Sequence, residues 1–447
     1  MLAALLVLLA VSPIAAPADP SSVSPGTPDE LEVAVSRDWN EHLEELFVYF
    51  HRNPELSFLE TNTAARLAEE LRMQDVEVTE GVGGTGVVGI IRNGEGPLVL
   101  VRADMDGLPV EEDTGLPYAS EVRQIDITGQ EVPVMHACGH DVHMTSLVGT
   151  ARQLVAAKDD WAGTVMLIGQ PAEERIGGAL AMLEDGLYED FGVPDFALAF
   201  HVSAGDPAGR IEVSPGLVYS SADSVDILVH GVGAHGASPH RGKDPIYIAS
   251  QIVIALQGLV SREMAPLQPG VVTVGSFHSG FKHNIIPSEA RLQLTVRSND
   301  ELVRAQLLAG IERIAEGVGR TNGLPEKLLP EVTLAGESAP TTINDVELVE
   351  RVRGAFVREL GEDALFSSDY EGMGAEDFAY FVQTEHQVPG CYFNVGGTLQ
   401  ADLDAEQAGG ASVASHHSPF FRIAPEPAVT AGTRAMTVAV LELLRKD

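Results

Sequence analysis

Thr164-Val165-Met166-Leu167-Ile168-Gly169 is a short apolar run that leads directly into Gln170-Pro171-Ala172-Glu173-Glu174. A run of this length, rich in Val and Ile and closed by glycine and proline, reads as a strand buried on both faces, where no polar alternation is needed. Val87 to Ile91, Leu98 to Val101 and Ala197 to Phe200 are runs of the same kind. Around them apolar residues recur at helical spacing, as over Trp39 to Arg72, where Asn53-Pro54 marks a break between two helices. Strands alternating with helices predict an α/β fold, a central sheet flanked by helices, with reactive groups on the loops beyond the strand ends.

Near Ser221 the pattern changes. Ser224 to His230 alternates as a strand, Pro245 to Glu263 reads as a helix, Val271 to Phe277 and Ala290 to Arg297 as strands, and Glu301 to Val318 as a helix. This β-α-β-β-α order resembles the split βαβ sandwich and predicts a smaller α+β lid domain, 221–337, inserted between two parts of a large domain, 32–220 and 338–447. A chain of 447 residues with 45% hydrophobic content exceeds what one compact core organises, which suits two domains.

The formal charge of -37 disfavours nucleic acid or an anionic membrane as a partner. Met1 to Val11 is an apolar run too short to span a bilayer, and Ala16-Pro17-Ala18 supplies a small-x-small cleavage pattern, so 1–18 reads as a signal peptide and the protein as periplasmic or secreted, with no membrane attachment after cleavage; an uncleaved anchor is the alternative, since no Lys or Arg precedes the run. Residues 19–31, rich in Pro and Ser, read as a disordered leader. With only Cys138 and Cys391 there is no disulfide framework; one bridge between them stays open, although the neighbours of Cys138 favour metal.

Those neighbours are Met135-His136-Ala137-Cys138-Gly139-His140-Asp141-Val142-His143, just before an apolar helix. Cys138 and His140, two apart in an extended loop, point the same way, and thiolate with imidazole suits zinc, manganese, cobalt or nickel. Helix capping by Asp141 and buried polar packing is the plainer alternative. Glu173 and Glu174 follow a buried strand with diverging side chains, so one can bind metal while the other faces an attacking water; two solvated acids is the competing reading. His201 after Leu198 to Phe200, and His416-His417-Ser418-Pro419, are ambiguous singly.

Taken together these stretches resemble a known family, the metallo-aminoacylase and carboxypeptidase amidohydrolases, in the branch of hippurate hydrolases, auxin-conjugate (IAA-amino acid) hydrolases and N-acetyldiaminopimelate deacetylases. The resemblance runs from about Glu41 to the C-terminus. It rests on Arg102-Ala103-Asp104-Met105-Asp106-Gly107-Leu108-Pro109, the His136 to His143 run, Gln170 to Glu174, Gly233-Ala234-His235 through Pro239-His240, Asn284-Ile285-Ile286-Pro287, Glu376-Asp377-Phe378 and His417-Ser418-Pro419. It implies a zinc-peptidase-like catalytic domain and a homodimer through the lid. It also implies two divalent metal ions (Mn, Zn, Co or Ni) held by a bridging Cys138 with His140, Glu174, His201 and His417, and Glu173 as general base. Such a cation pair would hold the bridging thiol ionised and acidify a water.

Further roles implied by the resemblance are Asp106 as a support of the metal loop, His235 as an oxyanion donor reaching a site across the dimer, and Asn284 and Arg297 as holders of the substrate carboxylate. Asp104 has no assigned role. The loop Arg175-Ile176-Gly177-Gly178 departs from the longer glycine run usual there, which implies a stiffer backbone and an added positive charge near substrate. The substrate implied is a small N-acyl or N-aroyl amino acid, cleaved at its amide bond. A dipeptidase or carboxypeptidase on the same scaffold is the alternative, and a non-catalytic peptide- or metal-binding protein, which would have lost a ligand or the base, is the third reading.

Overall fold

A computed structural model describes residues 28–367 and 372–446. The signal segment 1–18 and all of the leader up to residue 27 lie outside the described residues. The leader expected over 19–31 ends sooner than its composition suggests, because helix α1 (Pro28–Asp38) starts inside it. Proline at the first helical position lacks only an N–H that would go unpaired, Glu30 suits the positive end of the helix dipole, and Leu31 and Val35 bury one face. The helical path then continues through Trp39–Leu43 into α2 (Glu44–Arg52), breaks at Asn53-Pro54, and resumes as α3 (Thr61–Arg72).

Among the described residues, β1 (Glu77–Val82), β2 (Gly86–Asn93), β3 (Leu98–Asp104), β4 (Gly163–Gln170), β5 (Phe196–Pro207), β6 (Ile211–Glu212) and a later strand, Gly390–Thr398, form one mixed sheet. Its centre is parallel: β4 and β5 flank β3, and Gly390–Thr398 lies beside β5. The unbroken apolar runs have their reason here, since Val165 and Leu167 enter the core on one face while Met166 and Ile168 enter that on the other. Helix α4 (His140–Ala156) and the C-terminal helix Pro425–Leu444 pack together on the first of those faces.

The second sheet is antiparallel and has a core of its own. Strand β7 (Ser221–His230) turns Val225, Ile227 and Val229 onto the helix Pro245–Gly258 and leaves Ser224 and Asp226 on the other face. Asp244 caps that helix by accepting the N–H groups of Ile246 and Tyr247, and Asp300 caps Glu301–Thr321 in the same way through Leu302 and Val303. The unit has one strand more than the sequence reading gave it: Glu331–Ala339 pairs with β7 as an edge, so the expected boundary at 337 cuts through a strand. Gly336, few large apolar residues and an exposed edge position hide it from periodicity. No helix of the described residues is long and apolar enough to cross a membrane.

Candidate metal centre and active site

The ends of β3, β4 and β5 and the start of α4 meet at one point, and each delivers a polar side chain. Gly139 precedes α4 with φ +87°, and a Cβ there would stand 2.3 Å from Val202 Cγ1, so only glycine lets the loop lie against β5. This turn places Cys138 and His140 on one side. The short turn Glu173–Arg175 lies between Ala172 and Ile176, which take the left-handed values φ +50° and +51° that non-glycine residues avoid. His417, at φ +64°, is tied to the loop by its N–H, which donates to the Ala137 carbonyl at 2.9 Å.

The five expected ligands converge. Cys138 Sγ is 3.4 Å from His201 Nε2, His417 Nε2 is 3.5 Å from Glu174 Oε2, and His140 Nε2 is 3.9 Å from Glu174 Oε1. Donors held about 2.0–2.3 Å from a common tetrahedral ion lie roughly 3.3–3.8 Å apart, so these spacings fit ligand sets. Ligand atoms of Cys138, Glu174 and His417, and again of His140, Glu173 and Glu174, lie within 4.8 Å of one another, so Glu174 belongs to two neighbouring trios. His140 Nε2 and Glu174 Oε1 are buried without a hydrogen bond, an arrangement that costs free energy unless something binds between them. Mixed thiolate, imidazole and carboxylate donors fit borderline divalent cations.

The surroundings set the imidazoles correctly for this task. His201 Nδ1 lies 2.7 Å from the Val202 carbonyl, which only accepts, so Nδ1 carries the proton and the Nε2 lone pair faces Cys138. His140 Nδ1 lies 3.3 Å from Asp106 Oδ1, which directs its Nε2 toward Glu173 and Glu174. Asp106 also accepts the backbone N–H groups of both glutamates and the Ser57 hydroxyl, and so ties the Glu173–Glu174 turn to the end of the neighbouring strand.

Without cations the Cys138 thiol and the two glutamates resist ionisation. Burial, then the charges of Glu174 and Glu173, push the Cys138 thiol well up, so the ionised thiol expected from the sequence depends on the cations. Burial also raises Glu174 to about 8, with Asp106 adding to it against His140. Glu173 rises well above the usual carboxylate range through burial and the charges of Glu376, Glu174 and Asp377. One guanidinium answers these acids: buried Arg102 lies 2.6 Å from Asp104, 2.6 Å from Glu376 and 3.3 Å from Asp377.

This network was not legible in the sequence, although the adjacent pair Glu376-Asp377 hinted at it. Asp104 finds its place there, between Arg102 and His143 Nδ1 at 2.6 Å, while His143 Nε2 accepts the Val202 N–H beside His201. Tyr219 was missed altogether; burial and the charges of Glu376, Cys138 and Glu173 push its phenol well up. His416 also enters the cluster, 3.7 Å from Cys138 Sγ. The lid residues behave differently. His235 lies on a small two-stranded ribbon and Asn284 in the turn just before its second strand, where His235 Nδ1 accepts the Ala237 N–H and the Asn284 carbonyl accepts that of Gly236. Arg297 reaches the Met373 carbonyl, on the loop that leads to Glu376. Arg175 pairs at 3.3 Å with Glu337 of the lid.

A mixed α/β sheet with Cys, His and Glu side chains of metal-binding type converging beside a buried glutamate fits the class of metal-dependent hydrolases. The profile of peptidase family M20/M25/M40 matches residues 100–439, and the chain belongs to that family. It is 41% identical to thermostable carboxypeptidase 1 of Saccharolobus solfataricus (strain ATCC 35092 / DSM 1617 / JCM 11322 / P2), over 77% of this chain and 83% of that protein. It is 38% identical to hippurate hydrolase of Campylobacter jejuni subsp. jejuni serotype O:2 (strain ATCC 700819 / NCTC 11168), over 74% and 83%. Among solved structures it is similar to the Bacillus subtilis YXEP protein, a dinuclear metal-binding peptidase of the M20 family, with a TM-score of 0.71 and 27% identity over 92% of this chain and 99% of that one.

Proposed function

We propose that the chain hydrolyses N-acyl or N-aroyl amino acids, with Cys138, His140, Glu174, His201 and His417 holding two divalent cations and Glu173 acting as the base. The observation that carries this reading is that five donors from four chain segments meet beside Glu173, a buried carboxylate whose environment favours taking up a proton. Bound there, the cations supply an acidified water and a polarised carbonyl. Glu173 takes the proton of the attacking water and returns it to the leaving amine. The likeness to a hippurate hydrolase supports the acyl-amino-acid substrate.

The likeness to a carboxypeptidase favours a second reading, cleavage of peptides at a free C-terminal residue. A panel of benzoyl- and acetyl-glycine and -alanine set against dipeptides with a free α-amine separates the two. Glu173→Gln is expected to abolish turnover while leaving metal content near wild type; retained turnover refutes the base assignment.

In the same reading Asn284 and Arg297 hold the substrate carboxylate, and His235 reaches the oxyanion of a partner subunit in a homodimer formed by the lid. Support for a dimer comes from the exposed apolar side chains of the lid, Tyr247 and Ile254 on its first helix and Phe277, Phe281 and Ile285 near the His235 ribbon. Sedimentation at micromolar concentration tests it, with a monomer as the refuting result. The apolar start of the chain supports export to the periplasm or beyond, which cell fractionation tests.

A further inference from the structure

We infer that His416 is a neutral hydrogen-bond donor to the Cys138 sulfur, a positioning residue that tempers the thiolate, and that it does not serve as a further metal ligand. The inference rests on the reading of Cys138 as a metal-holding thiolate. Distance alone leaves both roles open, because one ligand atom each from Cys138, His201 and His416 lie within 4.8 Å of one another.

The hydrogen bonds decide between them. A backbone N–H is always a donor, and that of Ala204 points at His416 Nε2 at 3.1 Å. Nε2 therefore presents its lone pair, and the neutral ring carries its hydrogen on Nδ1. A protonated ring nitrogen has no lone pair for a cation; it can only donate, and Nδ1 faces Cys138 Sγ at 3.7 Å.

His201 shows the opposite arrangement against the same sulfur. Its Nδ1–H is spent on the Val202 carbonyl, so its lone pair is the one facing the centre. The two rings stand nearly edge to face, with centroids 5.2 Å apart, His416 also packs on Phe421 at 4.9 Å, and turning either ring over would put a C–H group where a nitrogen now meets Val202 or Ala204. Ala204 and Phe421 belong to a small apolar cluster with Met135 and Ala137, beneath the loop that carries Cys138. A hydrogen bond to a thiolate draws charge from the sulfur, which then donates less to its cations and leaves them more electrophilic.

The test uses the cobalt(II)-loaded enzyme and its sulfur-to-cobalt charge-transfer band. His416→Phe is expected to keep the wild-type cobalt stoichiometry, move that band to lower energy and reduce kcat by about tenfold. His416→Asn, whose amide nitrogen can stand near the Nδ1 position, is expected to return the band toward wild type. Loss of a cobalt in both variants makes His416 a ligand and overturns the inference, as does an unmoved band at full stoichiometry. If the Phe variant does not fold, the histidine nitrogen shifts of the wild-type zinc enzyme still decide, because a hydrogen on His416 Nε2 in place of Nδ1 overturns it. A wild-type cobalt enzyme with no such band would instead remove Cys138 as a ligand and take the functional reading down first.

Discussion

Asp106 accepts the backbone N–H of Glu173 on one carboxylate oxygen, at 3.1 Å, and with the other takes that of Glu174 at 3.0 Å and the hydroxyl of Ser57. A single side chain two residues beyond β3 therefore fixes the backbone of both the proposed base and a proposed ligand. It also orients His140 from 3.3 Å. Asp106→Ala removes all of this at once without touching a ligand atom. The expected result is a 10–100-fold loss of metal affinity together with a fall in kcat, measured by metal titration and steady-state kinetics. Unchanged affinity would show that the loop holds its shape through Glu60, which accepts the Ala172 N–H at 2.8 Å.

The parts of this arrangement that sequence reasoning reached are those whose partners lie close in the chain. Cys138 and His140 stood out by their two-residue spacing before an apolar helix, and Glu173-Glu174 by following a strand that had to be buried. Which of the two glutamates binds metal came from family resemblance, because adjacent acids look alike until Asp106 and Arg102 are in place. Asp104 could not be read at all. Its partners, Arg102 at a distance of 2.6 Å and His143 at 2.6 Å, give it meaning only after β3 and α4 are packed together. Tyr219 and His416 depend likewise on tertiary neighbours, and Pro28 and Glu331–Ala339 were hidden by composition and by an edge position.

Gly139 carries a sharper steric demand. Its backbone is left-handed, and the nearest obstacle to a Cβ is a branched side chain of a central strand, Val202 Cγ1 at 2.3 Å. Gly139→Ala is expected to cost about 2 kcal/mol or more, from the backbone conformation and the forced shift of β5 together. Because Val202 sits between His143 and His201 in the hydrogen-bond chain, metal content should fall with stability. A variant that melts lower yet binds metal as wild type would separate the two effects.

His51 offers a pH-dependent element away from the ligands themselves. Burial lowers its affinity for a proton, but Asp141 at 2.7 Å and Glu112 at 3.2 Å more than offset this and raise it from 6.5 to about 9. Since the folded value lies above the unfolded one, the stabilisation is complete below pH 6.5 and disappears as pH rises through 9. It amounts to about 3 kcal/mol at most. Denaturant titrations at the two ends of that window should show wild type losing more stability than His51→Gln; equal losses would mean that other groups dominate.

Metal uptake should release protons, and the sign follows from the cation-free cluster. Burial lowers the proton affinity of His140, but Asp104 and Asp106 outweigh it and bring the ring to about 10, so at pH 7 it holds a proton that a ligand nitrogen must lose. Glu174, at about 8, is mostly protonated at the same pH, and burial keeps the Cys138 thiol un-ionised. Three of the proposed ligands thus give up protons when cations bind, and apparent affinity should climb steeply from pH 6 toward pH 8. Calorimetry of zinc or manganese uptake in buffers of different ionisation enthalpy measures the count directly. More than one proton per filled site pair at pH 7 is expected. Uptake with no proton release would mean that Cys138 and Glu174 are already ionised and His140 already neutral before metal arrives, and some other positive group would then have to balance the two anions in the folded chain.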